Sequence, residues 1–128
     1  MSVFSAILGD TPDVIAPDGL EVRLLATGDK GSMAHFHLGA GKTGRAVQHK
    51  TVEEIWFFTE GSGQFWRDTV NEGTPLQVTK GASVTIPVGI RFQVRAGGSG
   101  LSAVCVTMPP WPGDDEAVVV EGFWPSDL

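Results

Sequence analysis

The side chains best suited to move a proton or hold a metal ion near neutral pH are scarce in this chain. The 128 residues include three histidines, His35, His37 and His49, one cysteine, Cys105, and no tyrosine. A single cysteine excludes an internal disulfide and a cysteine-rich zinc site. Cys105 lies in an apolar run, which favours a buried, inert thiol over a nucleophile. Histidine-dependent chemistry must therefore use His35, His37 or His49.

His49 and Glu54 form the most informative pair in the sequence. In the short apolar run 46–49, residues 47 and 49 share one face of a strand. In the run 54–59, residues 54, 56 and 58 share one face for the same reason. Apolar surroundings would raise the pKa of Glu54 and lower that of His49, unless the two form an ion pair. An imidazole and a carboxyl placed in this way can exchange a proton at neutral pH.

The elements that position this pair are predicted to be strands. The sequence contains 17 glycines and 8 prolines, and no segment keeps a helical period, so we expect many turns and a minor helix at most, over residues 2–7. Residues 97–100, three glycines and a serine, are interpreted as a hairpin turn. Short strands at this spacing predict an all-β sandwich or barrel. The predicted strands are 20–27, 32–38, 46–49, 54–59, 64–67, 75–78, 83–86, 91–95 and 101–107.

Two segments resemble the conserved motifs of the cupin superfamily. The segment 41–61 is similar to the first motif, which runs from a glycine through His-x-His and a glutamate to a second glycine. The segment 81–96 is similar to the second motif, which contains Pro-x-Gly, a histidine and an asparagine. The resemblance covers about residues 32–110. It implies an all-β, cupin-type double-stranded β-helix, or jelly-roll barrel, as a single domain over residues 1–128.

The resemblance also shows where a cupin metal would be held. The three histidines and one glutamate of the family fall on Val47, His49, Glu54 and Phe92, and the asparagine position holds Ala96. Valine and phenylalanine cannot donate to a metal, and a divalent transition metal generally needs three protein ligands. We therefore predict that there is no standard cupin metal site and no cofactor.

The resemblance implies that the shared faces of these strands point into the barrel, which places His49 and Glu54 inside. An apolar, aromatic lumen with few polar groups is typical of a small-molecule pocket. Arg91 is expected at the barrel mouth, where it could meet an anionic substrate. The residues predicted to bind the small molecule are Val47, Trp56, Phe58, Gln64, Trp66, Arg91 and Phe92.

The leading hypothesis is a metal-independent enzyme of the isomerase, epimerase, dehydratase or cyclase type. His49 would act as general base or acid, and Glu54 would be its partner and orienter. Three alternatives stay open. The pair could be a structural polar pair, the barrel could bind or sense a ligand without turnover, or a divalent transition metal could use His49 and Glu54 with His35 or His37. Strand alternation, however, places His35 and His37 opposite Ala34, Phe36 and Leu38 and therefore outside the barrel.

Charge and composition limit the partners. Nine lysines and arginines against fifteen aspartates and glutamates give a net charge of −6, which disfavours nucleic acid and anionic membranes. No apolar stretch approaches the ~20 residues of a membrane span, and the first residues lack a signal-peptide pattern, so we expect a cytoplasmic protein. Residues 114–116 are interpreted as a solvated loop. Trp111, Phe123 and Trp124 in the tail 109–128 must be buried on the barrel or on a second subunit, and the resemblance implies a homodimer.

Overall fold

The computed structural model describes residues 3–69 and 73–128, and these residues form nine β-strands and no helix. The all-β class is therefore confirmed. The short helix expected over residues 2–7 is absent from residues 3–7, and Ser2 lies outside the described residues. A single turn at this position lacks a packing partner that would offset the cost of helix nucleation. No helix that could cross a membrane occurs in the described ranges.

Most of the nine strands are short, and two are long. The bounds are β1 Val14–Ile15, β2 Glu21–Thr27, β3 Ser32–Leu38, β4 Val47–His49, β5 Glu53–Arg67, β6 Leu76–Thr79, β7 Ser83–Ile86, β8 Phe92–Met108 and β9 Ala117–Val119. All pairings between these strands are antiparallel.

The long strands β5 and β8 pair along their lengths and divide the single nine-stranded sheet into two halves, which are called the two sheets below. Residues 53–61 of β5 pair with residues 101–108 of β8, and β7 and β3 flank this half. Residues 63–67 of β5 pair with residues 92–96 of β8, and β6 and β4 flank the other half. Strands β1 and β2 extend the first sheet beyond β3, and β9 extends the second beyond β4. The two sheets share β5 and β8, which is the topology of a rolled barrel.

The sequence predicts four strands where the structure has β5 and β8. The predicted hairpin turn at residues 97–100 is wrong, because these residues continue β8 without a break. Gly61 and Gly100 explain the error, since both have positive φ, 80° and 81°. A Cβ atom at Gly61 would collide with the carbonyl oxygen of Gly100. These glycines let two adjacent strands bend in close contact, and they do not reverse the chain.

The core lies between the sheets and is built on aromatic rings. Phe65 stacks on Phe92 with centroids 5.9 Å apart, and its ring contacts that of Trp56 edge to face at 5.4 Å. Phe58 packs against both Trp56 and Phe65. These four side chains are among the largest that are fully buried. They fill one part of the barrel and leave the part nearest His49 open.

The C-terminal tail packs on its own barrel. Strand β9 pairs with β4 along its three residues. Farther along, the buried amide of Gln93 accepts hydrogen bonds from the N–H groups of Phe123 and Trp124 at 2.9 and 3.0 Å. The Phe123 ring lies against Trp66. The tail therefore packs on the barrel, but the expected burial is incomplete, because Phe123 stays 47% exposed.

Candidate functional site

A cavity of about 370 Å³ opens between the two sheets, beside His49 and Glu54. Strands β2 to β5 and β8 contribute to its wall, together with the turn at residues 16–18 and the segment 110–114. Most of the wall is apolar. Its aromatic side chains are Phe4, Phe36, Trp56, Phe92 and Trp111, and its ionisable side chains among the described residues are Asp18, His49, Glu54 and Asp114.

The four positions at which cupins hold a metal come together in this wall. Val47 on β4 pairs directly with Phe92 on β8, and both line the cavity with His49 and Glu54. The fold therefore builds the expected constellation, with two of its four side chains apolar. These residues do not fit a metal ion, because only one imidazole and one carboxyl could donate. Within the described ranges, no three His, Cys, Asp or Glu side chains are grouped closely enough to hold one.

His49 is 4% exposed and stands between two aromatic rings. The rings of Phe92 and Trp111 both contact it edge to face, with centroids 5.2 Å from that of the imidazole. Its Nδ1 atom has no hydrogen-bond partner among the described residues. Burial disfavours the charged imidazolium and lowers the pKa of His49 to about 4, against the opposing charge of Glu116. His49 is therefore neutral at physiological pH.

Glu54 is 2% exposed, and its carboxyl is held by its own strand. Its Oε1 atom accepts a hydrogen bond of 2.9 Å from the indole N–H of Trp56, two residues farther along β5. Burial raises the pKa of Glu54 to about 7, although the hydrogen bonds from Trp56 and Cys105 act in the opposite direction. Such a carboxyl is about half ionised at pH 7. The Cys105 thiol is buried, and burial raises its pKa further above the usual value.

His49 and Glu54 are neighbours without a mutual hydrogen bond. The Nδ1 atom of His49 lies 4.0 Å from Oε1 of Glu54, beyond the range of a hydrogen bond. The structural alternative, in which the two residues satisfy each other, is therefore not what the structure has. The imidazole nitrogen is left with its hydrogen-bonding capacity unused inside the cavity wall.

Asp18 is a cavity residue that the sequence analysis missed. It is buried in the turn before β2, and its Oδ1 atom accepts a hydrogen bond from the Leu20 N–H at 3.1 Å. Burial raises the pKa of Asp18 to about 6, against the attraction of Arg45 and the backbone hydrogen bonds. The segment Pro17-Asp18-Gly19 indicates an exposed turn. Nothing local to it signals that the turn lines a cavity.

The segment after β8 contributes two further residues beside His49. Trp111 lies over the imidazole and remains 36% exposed, and its backbone N–H donates to Ser32 Oγ at 3.0 Å. Glu116 was expected in a solvated loop, and this expectation is wrong. Its carboxylate is buried and accepts hydrogen bonds from the N–H groups of Thr51 and Val52 at 2.7 and 3.2 Å. Burial would raise the pKa of Glu116, but the hydrogen bonds from the Thr51 hydroxyl and from these N–H groups outweigh it and lower the pKa. The same bonds fix the loop that joins His49 to Glu54.

Three of the residues predicted to bind the small molecule are not part of the cavity wall. Phe58 points inward as predicted but belongs to the core behind Trp56, Gln64 is half-buried away from the cavity, and Trp66 packs on Phe123. For Gln64 and Trp66, the cause lies in two register irregularities of β5, one between Phe58 and Glu60, where one residue is extra, and one between Gly61 and Gly63. A one-residue shift exchanges the two faces of a strand, so Phe65 points inward in place of Gln64 and Trp66.

The predicted role of Arg91 also disagrees with its surroundings. Its guanidinium is 41% exposed and forms an ion pair with Asp68, with Nε 2.9 Å from Oδ2. Arg91 is not part of the cavity wall. The Asp68 carboxylate holds Arg91 at the surface, away from the cavity.

His35 and His37 lie on the outer face of β3. Phe36 between them points inward, and its ring contacts that of Trp56 edge to face at 4.9 Å. On the other face, Nδ1 of His37 is 2.9 Å from the hydroxyl of Ser102. Burial lowers the pKa of His35, and the positive charge of Arg23 lowers it further. Neither histidine completes a donor set with His49 and Glu54.

Comparison of the whole structure with solved structures identifies the fold. KdgF from Halomonas sp. superposes with a TM-score of 0.69 at 13% identity, covering 86% of this chain and 98% of that one. A variant of Streptomyces PAC13 with uridine superposes with a TM-score of 0.72 at 10% identity, covering 94% and 92%. A Klebsiella pneumoniae protein with a double-stranded β-helix domain gives 0.65 at 13%, covering 80% and 85%. This chain therefore has a cupin-type, double-stranded β-helix fold.

The similarity is one of structure. No protein-family model and no curated protein sequence matches the chain. The function must therefore be argued from the cavity itself.

Proposed function

We propose that this protein binds a small organic molecule in the cavity and catalyses metal-independent proton transfer, of the isomerase, epimerase, dehydratase or cyclase type. Glu54 takes up and returns the proton, and the neutral His49 is its hydrogen-bonding partner. The observation that carries the proposal is a carboxyl with a pKa of about 7, buried beside an unpartnered imidazole in an aromatic wall. A general acid or base is most effective when its pKa lies near the working pH.

These roles reverse the assignment expected from the sequence. With a pKa of about 4, His49 is a weak base and stays neutral, so the proton is more readily exchanged at Glu54. A neutral imidazole has one N–H donor and one lone pair. His49 can therefore donate to, or accept from, a polar group of the substrate while Glu54 abstracts or delivers a proton. The indole N–H of Trp56 holds the carboxyl in place during both steps.

The walls of the cavity support such chemistry. Val47 and Phe92, which stand where cupins place metal ligands, turn that part of the lumen into an apolar surface that excludes water. Water exclusion strengthens the electrostatic interactions of the reacting groups. The fold is compatible with reactions of this type, since Streptomyces Pac13 is described as a nucleoside dehydratase.

The proposal can be tested without knowing the substrate. The protein is incubated in D2O with a mixture of small metabolites, and mass spectrometry identifies compounds that gain deuterium or change mass. We expect at least one such compound with the wild type and with Glu53→Gln. Glu53 is the matched control, because it is the adjacent carboxyl of β5 and is exposed. Glu54→Gln should abolish the conversion.

Two outcomes would contradict the proposal. A Glu54→Gln variant as active as the wild type would show that this carboxyl carries no proton. A compound that binds to the wild type and is recovered unchanged, without deuterium, would favour a binding module over an enzyme.

A further inference from the structure

The carboxyl groups are the only ionisable side chains of the described cavity wall besides His49. Asp18, Glu54 and Asp114 can each become negative, and His49 is neutral at physiological pH. No lysine or arginine belongs to the described residues of the wall. Arg45, the cation that attracts Asp18, donates through its guanidinium to the carbonyl oxygen of Pro17. Among the described residues, the cavity wall itself therefore contributes no lysine or arginine to compensate an ionised carboxyl.

An unpartnered nitrogen adds a second, independent requirement. His49 is more than nine-tenths buried, lines the cavity and has no partner for Nδ1 within the described ranges. Burying a polar atom without a hydrogen bond is costly. In the tautomer that carries its proton on Nε2, Nδ1 presents a lone pair, and a ligand that donates hydrogen bonds would satisfy this lone pair and the carboxyl oxygens together. An ammonium group is such a ligand, since it has only donors.

The aromatic residues of the wall favour the same chemistry. Trp56, Trp111, Phe36 and Phe92 surround the polar groups, and the faces of such rings attract cations. The volume of about 370 Å³ is at the lower end of the range for small-molecule pockets. The net charge of −6 would also attract a cation from solution.

We propose that the ligand of this cavity is a small organic cation, a protonated amine with an apolar body, whose ammonium group lies among Asp18, Glu54 and His49. This inference rests on the proposed function, because it assumes that the cavity takes a small molecule, and it adds the charge of that molecule. It replaces the anionic substrate expected from Arg91, whose guanidinium is paired with Asp68.

Three probes of nearly equal size separate charge from shape. Benzylamine is a cation at pH 7.5, benzyl alcohol is neutral and benzoate is an anion. Calorimetry should give a Kd for benzylamine about tenfold or more below those of the other two, the difference expected for a desolvated cation–π contact and an ion pair. Addition of benzylamine should also shift the imidazole NMR signals of His49.

Asp18→Asn should weaken benzylamine binding by about tenfold or more, because it removes a charge that faces the ammonium group. The control is Glu53→Gln, which removes one negative charge from the exposed face of β5 and should leave the Kd within about twofold. If Asp18→Asn does not fold, as judged by circular dichroism, Glu54→Gln takes its place in the same comparison.

Several results would overturn the inference. Benzyl alcohol or benzoate binding as tightly as benzylamine would show that the cavity does not select a cation, and small-molecule binding itself would stand. Failure of all three probes to bind would also overturn it, and deuterium incorporation would still decide the proposed function separately. An unchanged Kd in the folded Asp18→Asn variant would remove Asp18 from the site.

Discussion

His49 and Glu54 lie side by side in the cavity wall, with Nδ1 of His49 4.0 Å from Oε1 of Glu54 and no hydrogen bond between them. Burial disfavours the charged form of each residue. It lowers the pKa of the imidazole to about 4 and raises the pKa of the carboxyl to about 7. The pair is therefore not an ion pair at neutral pH. Glu54 is the member that changes charge in the physiological range.

Glu54→Gln should change how stability depends on pH. The pKa of Glu54 is raised from 4.5 to about 7 in the folded state, so the folded protein binds more protons between these values. Its unfolding free energy consequently falls as pH rises through this window, by roughly 3 kcal/mol from this group. The variant lacks this loss. Between pH 4 and pH 8, its unfolding free energy should therefore rise by roughly 3 kcal/mol relative to that of the wild type, as measured by urea denaturation.

Most of the difference reports on Glu54, because Asp18 and His49 are present in both proteins and the repulsion between Asp18 and Glu54 is a smaller cause of the raised pKa than burial. A stability difference that stays constant from pH 4 to pH 8 would show that Glu54 ionises normally in the folded state.

Trp111→Ala should raise the pKa of His49. Trp111 covers the imidazole, and burial is the main cause of the lowered pKa. Removing the indole admits water, so the titration midpoint should move from about 4 toward the ordinary 6.5. NMR titration of the imidazole signals measures it. Trp124→Ala is the matched control, since Trp124 packs on Phe123 and Arg95. Equal midpoints in the two variants would contradict the role given to Trp111.

Val47→His combined with Phe92→His should create a metal site. These two residues are cross-strand partners on β4 and β8, beside His49 and Glu54. The variant would therefore present three imidazoles and a carboxyl. We expect the variant to bind Co2+ stoichiometrically, and visible absorption spectroscopy measures this binding. The control is Val47→Ala with Phe92→Ala, which enlarges the cavity without adding ligands. Equal binding by both double variants would mean that the four positions do not converge as described.

Glu116→Gln should weaken the structure near His49. The Glu116 carboxylate accepts hydrogen bonds from the Thr51 and Val52 N–H groups, and a neutral amide is a poorer acceptor. We expect a loss of about 1–3 kcal/mol at pH 7, as for other hydrogen bonds to charged groups. The lowered pKa of Glu116 means that this stabilisation is present above 4.5 and is lost as pH falls. Unchanged stability at pH 7 would contradict the stabilising role given to the Glu116 carboxylate.

The sequence was most informative where local alternation and the motif spacing agreed. Strands 32–38 and 83–86 have the predicted bounds, and Val47, His49, Glu54 and Trp56 all line the cavity. The outward placement of His35 also follows from alternation within one strand. Alternation within a strand shows which residues share a face, and the resemblance to cupins implies which face points into the barrel, so these features could be predicted.

What the sequence did not reveal depends on contacts between distant segments. The extra residue in β5 near Thr59 exchanges the faces of the strand, and nothing in the apolar pattern marks it. Asp18 and Glu116 have the local signature of exposed loops, and only the folded chain buries them. The tail packs on Trp66 and Gln93 of its own barrel. The homodimer stays a prediction.

A carbon-detected NMR titration of the Glu54 carboxyl, with the signal assigned by its absence from Glu54→Gln, measures the pKa on which the proposed proton transfer depends. We expect a midpoint of about 7, because burial in the aromatic wall disfavours the carboxylate. A midpoint near the ordinary 4.5 would contradict the proposed proton transfer, since Glu54 would then be fully ionised at neutral pH and unable to deliver a proton.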